Sequence, residues 1–441
     1  MKSNPLWWKS AVFYELYVDT FAGDFKRLGS CLDYFSRLGI DCLHILPPYP
    51  SPMVDDGYDI SDHQNVRPEL GTLNDCRAFI QSAHARGIRV MTDLVLNHVS
   101  KDHPWFSEAR RSRNNTKRDY FLWSDTGKDL AGSVNAFPHL KSSNWIVNKA
   151  TGDYYFTTFY PEQPDLNWDN PEVTREMCAV IDFWIEVGVD AFRIDAASHL
   201  VKREGTNSKG LPETHAVLKK IRAHVNSRDP VVALLAEVRD TPARTRNYFG
   251  AGDECQLVYH FPMAEEMFLA ALHNDPKEAE LLFAHTPLAP ANCQWVLFLR
   301  NHDELSMSMM TAEQMITEDE RHEMIDYCDP SRRFVFKDDA GLCMRMASIF
   351  KRDPAKIRLA FQMLLGFPAS AVIYYGEEIG MENDESLGVV LDCRRYVRGK
   401  FDWKRAHAEM RDPNSLFSFV AGLIARKKAH SVPMVSEADT L

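Results

Sequence analysis

The stretch DAFRIDA (residues 190–196) decides the fold, because it ends an apolar run with charged side chains. Three other apolar stretches end in the same way: DLVLNH (residues 93–98), LLAEV (residues 234–238) and FLRNHDE (residues 298–304). In a parallel α/β barrel, the active site lies where the carboxyl ends of the strands meet. Four runs that each finish in acidic, amide or imidazole groups therefore predict a barrel with one shared active site.

The first of these stretches also carries a geometric argument, since Arg193 and Asp195 are two residues apart. Side chains two apart on an extended strand point to the same side, so we expect this pair to face one site. A guanidinium next to a carboxylate favours the ionised form of that carboxylate. An ionised aspartate that faces a pocket is suited to act as a nucleophile, and Asp195 is the candidate.

Apolar runs of strand length recur eight times, and helical patterns such as LDYFSRLGI (residues 32–40) separate most of them. Strands and helices that alternate eight times are typical of a (β/α)8 TIM barrel, an α/β fold. Continuous apolar strands also fit a parallel sheet that is buried on both faces. The predicted strands are residues 11–18, 42–46, 88–96, 189–194, 231–236, 256–261, 294–299 and 371–375.

Two gaps between the predicted strands are too long for one helix and its loops. The first follows the third strand, covers residues 99–168 and predicts a small inserted domain, a candidate lid. The second follows the seventh strand, covers residues 305–350 and carries a charged helical pattern, which predicts a helical insertion. The barrel itself is assigned to residues 1–98 and 169–430, with a tail at residues 431–441.

Composition disfavours several other classes of function. The 441 residues carry a net charge of −11 without a long run of one sign, which disfavours nucleic acid as a partner. No apolar run approaches the roughly 20 residues of a membrane span, and the first residues show no signal-peptide cleavage pattern. The nine cysteines include no C-x-x-C pair, so we expect neither a disulfide framework nor a zinc site. We therefore expect a reduced, soluble, cytoplasmic protein.

The four stretches resemble the four sequence regions of the α-amylase superfamily of glycoside hydrolases. DDGYDI (residues 55–60) and QPDLNWDNPEV (residues 163–173) extend the resemblance, which is strongest to the trehalose synthase branch and covers residues 11–381. Two local departures are the short loop AGDF (residues 22–25) and VRGKFDW (residues 397–403), where relatives have V-R-T-P-M-Q-W. A third is that we expect no C-terminal β-sandwich, which relatives carry after the barrel.

The resemblance implies three catalytic carboxylates. Retaining glycosidases hold two carboxyl groups about 5–5.5 Å apart, one as nucleophile and one as acid and base. By the match, Asp195 would attack the anomeric carbon and Glu237 would protonate the leaving oxygen. Because Glu237 follows the apolar LLA, we expect burial to keep it protonated. Asp303 would be the third carboxylate, which binds sugar hydroxyls and stabilises the transition state.

The resemblance also implies a set of side chains around one glucose ring. Tyr58 would be the aromatic platform under the ring, and His98 and His302 would hydrogen-bond its hydroxyls. The full set of implied substrate-binding residues is Asp55, Tyr58, His98, Arg193, His302 and Arg394.

Asp55 and Arg394 would together close the non-reducing end of the bound sugar, as in relatives that act on disaccharides. Arg394 follows from aligning CRRYVR (residues 393–398) with the D-R-D-G-V-R of relatives. Asp93 would support Arg193 from behind the site. A pocket closed in this way would admit a small α-glucoside such as maltose or trehalose as substrate. The chemistry implied by the resemblance requires no cofactor.

Relatives also bind calcium between the barrel and the inserted domain, and this ion is the one cofactor to weigh. Asn97 and Asp165 match two of its ligands, but Lys202 stands where relatives have an acidic ligand. Calcium prefers six to eight oxygen ligands, and an ammonium removes one of them and repels the ion. We therefore predict that the protein binds no metal and that Lys202 stands in for the calcium at Asn97 and Asp165. The alternative is that Lys202 points to solvent and that calcium binds with fewer protein ligands.

The eighth helix, predicted at residues 415–429, would lie next to the missing sandwich. We expect its apolar side chains to be left at the surface or covered by a second copy in a homodimer. The side chains in question are Leu416, Phe417, Phe419 and Leu423.

Three functions remain open at the level of sequence. The leading hypothesis is a retaining enzyme that interconverts maltose and trehalose by intramolecular glucosyl transfer. The alternative is an α-glucosidase or transglucosidase, in which water or an external acceptor ends the cycle. A remote alternative is an inactive amylase-fold protein kept for binding, which predicts the loss of Asp195, Glu237 or Asp303, and all three are present.

Overall fold

A computed structural model of the chain describes residues 5–307, 317–336, 341–388, 390 and 392–431. Eight parallel strands close into a barrel, in which consecutive barrel strands are neighbours and the last pairs with the first. The predicted (β/α)8 barrel is confirmed, with each of the eight predicted strands in place. The first to eighth barrel strands are Val12–Leu16, Cys42–Ile45, Arg89–Val95, Ala191–Asp195, Ala233–Ala236, Leu257–Tyr259, Gln294–Phe298 and Ser370–Tyr374.

The strands are buried on both faces, which explains why they read as continuous apolar runs. In the first barrel strand, Val12 and Tyr14 join the large core between strands and helices, whereas Phe13 joins a second core inside the barrel. Trp7 and Trp8 belong to this inner core and close the barrel below the strands. Burial on both faces leaves the carboxyl ends of the strands as the place where polar side chains can collect.

Helices surround the barrel, and their ends follow local sequence signals. The helix Pro171–Val187 begins after Asn170, whose side chain accepts a hydrogen bond from the Glu172 N–H at 3.0 Å. It ends at Gly188, whose φ of 113° favours glycine. The helices are Val18–Phe21, Phe25–Ser30, Leu32–Leu38, Leu73–Ala85, Pro104–Ala109, Pro171–Val187, Pro212–Arg228, Pro242–Thr245, Phe261–His273, Lys277–His285, Glu318–Cys328, Met346–Ile349, Pro354–Gly366, Trp403–Glu409 and Leu416–Ser431.

The segment after the third barrel strand carries a small antiparallel sheet. Its strands are Trp123–Ser124, Trp145–Val147 and Tyr154–Phe156, with the last one in the middle. An isolated bridge between His98 and Asp165 ties the two ends of the segment together beside the barrel. This sheet lies within the range predicted for the inserted domain.

We had predicted a helical insertion after the seventh barrel strand, but the segment also contains a small sheet. The segment contains the helix Glu318–Cys328 and also a three-stranded sheet made of Leu305–Ser306, Val335–Phe336 and Gly341–Leu342. Strands of two residues are too short to show a periodic pattern in sequence.

A disulfide between Cys343 and Cys393 links this segment to the residues that follow the eighth strand, with Cα atoms 5.7 Å apart. The expectation that the cysteines form no disulfide was therefore wrong for this pair. The other seven cysteines are free thiols.

The apolar side chains of the helix Leu416–Ser431 are more buried than we expected. Phe417 is 4% exposed, and the other three named side chains are half-buried against the main core. The Arg358 guanidinium lies 4.4 Å from the ring centre of Phe419 and shields it further. The apolar surface predicted at this helix is not seen, and the homodimer stays a prediction.

Within the described ranges, no helix is long and apolar enough to cross a membrane.

Candidate active site

A pocket of about 340 Å³ opens at the carboxyl ends of the barrel strands. Eight of the nine predicted site residues line it, and the ninth, Arg193, lies beneath it with 1% of its surface exposed. The eight are Asp55, Tyr58, His98, Asp195, Glu237, His302, Asp303 and Arg394. Residues far apart in the sequence therefore meet at one site.

Arg193 holds both of the predicted catalytic carboxylates. Its Nη1 lies 3.1 Å from Oδ1 of Asp195 and its Nη2 lies 2.9 Å from Oε2 of Glu237. Arg193 also contacts Asp93 behind the site, as we had predicted. Because both carboxylates rest on one guanidinium, the arrangement favours the short separation of retaining enzymes over the gap of about 6.5–9.5 Å in inverting ones.

The backbone after Asp195 helps to fix the same pair. Ala196 has a φ of 47°, a left-handed conformation that is uncommon for residues other than glycine. This turn directs the Ala196 N–H to Oε2 of Glu237, which accepts a hydrogen bond at 3.0 Å. The strain is local to the site, and its result is a second support for the orientation of Glu237.

The electrostatics of the pair differ from our expectation for Asp195. Burial raises the pKa of Asp195 well above its ordinary value, the charge of Glu237 raises this pKa further, and Arg193 opposes both effects. We had predicted that Arg193 alone would keep Asp195 ionised. Burial and the neighbouring carboxylate of Glu237 therefore outweigh Arg193 in setting the pKa of Asp195.

Asp303 is held by two arginines, and only one of them was predicted. Its Oδ1 lies 3.1 Å from Nη1 of Arg394 and 3.0 Å from Nη2 of Arg398. Burial alone would raise the pKa of Asp303, but His302 and the two arginines lower it well below its usual range. Asp303 is therefore a stable anion in the wall of the pocket. Arg398 itself is held by Asp56.

Arg394 also reaches the predicted partner at the closed end of the pocket. Its Nη2 donates to Oδ1 of Asp55 at 3.1 Å and to the Tyr160 hydroxyl at 3.2 Å. Asp392, two residues earlier in the chain, accepts from the same Nη2 at 2.6 Å. One arginine thus connects Asp55 to Asp303, and Asp392 and Tyr160, which we had not predicted, hold it in place.

His98 and Tyr58 present groups that can bind sugar hydroxyls. Burial lowers the pKa of His98 to about 4, and nearby Lys202 lowers it as well, so the ring is neutral. Its Nδ1 faces the Asn97 amide at 3.2 Å, and its Nε2 has no partner within the described ranges. Tyr58 stacks on His302 with ring centres 5.3 Å apart.

The outer part of the pocket is built by residues that sequence reasoning missed. Three phenylalanines line it, two from the segment after the third strand and one from the segment after the seventh: Phe137, Phe159 and Phe336. On another side, Arg239 pairs with Glu304, while the Lys209 Nζ lies 3.4 Å from Asp240. These side chains give the outer part of the pocket an apolar wall and paired charges.

The oxygens that calcium would need are engaged by Lys202. Its Nζ donates to Oδ1 of Asn97 at 2.7 Å and to the His199 carbonyl at 2.6 Å, and it pairs with Asp165. Calcium takes six to eight oxygen ligands, so a site whose oxygens already bind an ammonium does not fit the ion. Over the described part of the chain, no group of three or more His, Cys, Asp or Glu residues could hold a metal.

Comparison with known proteins agrees with this geometry. Residues 8–329 match the alpha-amylase family model for the catalytic domain. Trehalose synthase/amylase TreS of Mycobacterium tuberculosis is 42% identical over 399 residues, which cover 88% of this chain and 65% of the relative. Trehalose synthase of Thermus thermophilus is 39% identical over 410 residues, which cover 91% of this chain and 41% of the relative. This chain therefore spans less than two thirds of the length of either relative.

Solved structures give the same result for the fold. Trehalulose synthase MutB from Pseudomonas mesoacidophila MX-45 superposes with a TM-score of 0.73 at 25% identity, over 97% of this chain and 84% of that one. The family model covers well over half of the sequence, and its strand-end carboxylates meet in one pocket. The chain belongs to the alpha-amylase family.

Proposed function

We propose that this protein transfers the terminal glucose of a short α-glucoside through a covalent glucosyl-enzyme, with retention at the anomeric carbon. The observation that carries the proposal is the contact of Arg394 with both Asp55 and Asp303. It closes the pocket behind one sugar ring, next to the carboxylate pair on Arg193. A closed end favours disaccharides over long chains.

In the first step, ionised Asp195 attacks the anomeric carbon, and Glu237, in its acid form, gives its proton to the leaving glycosidic oxygen. The bond from the anomeric carbon to that oxygen breaks, and an ester bond to Asp195 forms. Asp303 stabilises the positive charge that develops on the ring, because its two arginines keep it ionised. His98 would donate from its unpartnered Nε2 to a hydroxyl of the same ring.

In the second step, a hydroxyl of the released glucose attacks the anomeric carbon of the glucosyl-enzyme. Glu237, now ionised, takes the proton of that hydroxyl, and the ester bond to Asp195 breaks. If the attacking group is the anomeric hydroxyl rather than the 4-hydroxyl that left, maltose becomes trehalose. The enzyme then returns to its starting protonation state.

Two features support isomerisation over hydrolysis. One relative is named trehalose synthase and another trehalose synthase/amylase, although each is longer than this chain. The outer wall carries three phenylalanines that come from the two segments outside the barrel, where they can retain a released glucose and exclude water. We propose that these walls hold the released glucose while it turns.

The test is product analysis with maltose, trehalose and sucrose, each incubated separately with the purified protein. Isomerised disaccharide in excess over free glucose is the expected result. Free glucose as the main product would instead make the protein an α-glucosidase, and growth of longer oligosaccharides would make it a transglucosidase. The Asp195→Asn variant is the control for contaminating activity. Absence of any reaction in the wild type would favour the inactive binding protein.

A further inference from the structure

A histidine lies between two carboxylates under the pocket and has no role in the steps above. His44, on the second barrel strand, is fully buried. Its Nε2 lies 2.8 Å from Oδ2 of Asp93, and its Nδ1 lies 3.3 Å from Oε2 of Glu15. Both carboxylates are themselves fully buried. Neither Glu15 nor His44 is among the residues that the sequence pointed to.

These three residues are part of a closed ring of contacts. Oε1 of Glu15 accepts from the His302 N–H and contacts the His302 Nδ1, both at 2.9 Å. The Nε2 of His302 lies 2.9 Å from the Tyr58 hydroxyl, which lies 3.2 Å from Oδ1 of Asp93. The ring therefore joins the first three barrel strands to two side chains of the sugar pocket.

The geometry determines which atoms of His44 must carry protons. An ionised carboxylate only accepts hydrogen bonds, and each ring nitrogen of His44 faces one carboxylate oxygen. A neutral imidazole would put a bare nitrogen against an oxygen, at a buried position where an unpaired contact is costly. The doubly protonated ring donates to Asp93 at 2.8 Å and places its second N–H toward Glu15, as an ion-pair contact of 3.3 Å without hydrogen-bond geometry.

An imidazolium at His44 offsets one of the two negative charges that Glu15 and Asp93 supply. Arg193 faces Asp93 together with Asp195 and Glu237, and His302 faces Glu15. Burial alone would lower the pKa of His44, but Asp93 and Glu15 outweigh it and raise that pKa. Tyr259 is buried within reach of Glu15, Asp93 and Arg193, and it stays neutral because burial raises its pKa.

We propose that His44 is a positioning residue for the glucosyl transfer. Its imidazolium offsets the negative charge of Glu15 and Asp93, so that the positive charge of Arg193 stabilises ionised Asp195. The inference rests on the proposed function. Without the imidazolium, the buried residues under the pocket would lose one positive charge, and Asp195 would ionise less readily above them. His44 acts through Asp93 and Arg193 and does not touch the sugar itself.

The first experiment measures kcat/KM against pH with α-glucosyl fluoride, whose leaving group needs no proton, so that the acid limb reports the ionisation of Asp195. In His44→Gln we expect this limb to move upward by about one pH unit. The double variant His44→Gln with Glu15→Gln removes one positive and one negative charge, so its limb should return to the wild-type pH. A purely structural role predicts additive damage without that return, which would overturn the proposal.

The second experiment needs neither a variant nor activity. Neutron diffraction from perdeuterated wild-type crystals near pH 7 should show deuterium on both ring nitrogens of His44, and deuterium on only one of them would overturn the proposal. If both nitrogens carry deuterium but no α-glucoside reacts, the charge assignment stands and the proposed function fails. If glucosyl transfer occurs but the acid limb of His44→Gln does not move, the positioning role alone fails.

Discussion

Lys202 and Asn97 are joined by a hydrogen bond of 2.7 Å from Nζ to Oδ1, beside the bridge that links the inserted segment to the barrel. The Lys202 side chain is 1% exposed, and Asp165 pairs with the same ammonium. Burial lowers the pKa of Lys202, whereas Asp165 raises it. One buried cation, which belongs to the chain itself, thus binds oxygens from both parts of the protein.

We therefore predict that the protein needs no calcium. Metal analysis after purification in calcium-containing buffer should find no stoichiometric ion, and a chelator should leave the melting temperature unchanged. Lys202→Met should lower the free energy of unfolding by about 3–5 kcal/mol, because Asp165 is left as an unpaired buried charge. Lys26→Met, at a side chain that is 77% exposed, is the control and should change it by less than about 0.5 kcal/mol. One bound calcium per chain would contradict this.

Arg394 should prevent a sugar chain from extending beyond the terminal glucose at the closed end of the pocket. Arg394→Ala removes charged hydrogen bonds to Asp55 and Asp303, so we expect the KM for maltose to rise about 10- to 100-fold and kcat to fall. The open end should also let maltotetraose lose maltose as well as glucose. Arg395→Ala is the matched control, because that side chain is 49% exposed and contacts Asp56 instead. Equal effects of the two variants would count against the closed pocket.

The barrel and its carboxylates could be predicted because their signals are local. An apolar run that ends in Asp195 or Asp303 shows both the strand and its chemistry. Glu15 and His44 gave a weaker signal that we had not used, namely a polar residue inside an otherwise apolar strand. In a strand buried on both faces, such a residue must find a buried partner.

Other parts of the site could not be predicted, because they depend on contacts between distant segments. Arg398 reaches Asp303 across 95 positions, and no spacing rule connects them. Phe336 lies on a strand of two residues, which carries no periodic pattern. Cys343 and Cys393 are 50 residues apart, so their pairing depends on how the segment after the seventh strand folds back.

The disulfide should be detectable and should stabilise the pocket. Thiol titration of the denatured, unreduced protein should find seven thiols, and nine after reduction. Cys343→Ser should lower the free energy of unfolding by about 2–4 kcal/mol. It should also raise the KM for maltose, because Cys393 immediately precedes Arg394. Cys31→Ser, at a free half-buried thiol, serves as control. Nine thiols before reduction would show that the bond does not form.

Replacing each of the two carboxylates that contact Arg193 should impair a different step of the reaction. Asp195→Asn and Glu237→Gln should each lower kcat for maltose by about a thousandfold or more, with the fold intact by circular dichroism. With α-glucosyl fluoride, Glu237→Gln should still release a burst of fluoride, because fluoride leaves without a proton. Asp195→Asn should give no burst, since it lacks the attacking oxygen. Bursts of equal size in both variants would show that the two roles are wrongly assigned.

The pH dependence should report the one proton that the proposed first step requires on the pair Asp195 and Glu237. Burial and the charge of Glu237 raise the pKa of Asp195, so the pair loses its last proton at a higher pH than an isolated carboxyl group. Below that pH the pair still holds the proton that the leaving oxygen of maltose requires. The kcat/KM for maltose should therefore fall as the pH rises through the upper pKa of the pair.

α-Glucosyl fluoride separates this effect from general loss of the enzyme at high pH. Asp195 stays ionised there, and fluoride needs no proton to leave, so its kcat/KM should persist above the pH at which that for maltose falls. Both profiles should be measured on one preparation, with melting temperatures recorded at each pH. Alkaline limbs at the same pH for the two substrates would mean that loss of the pair's last proton is not what limits the reaction.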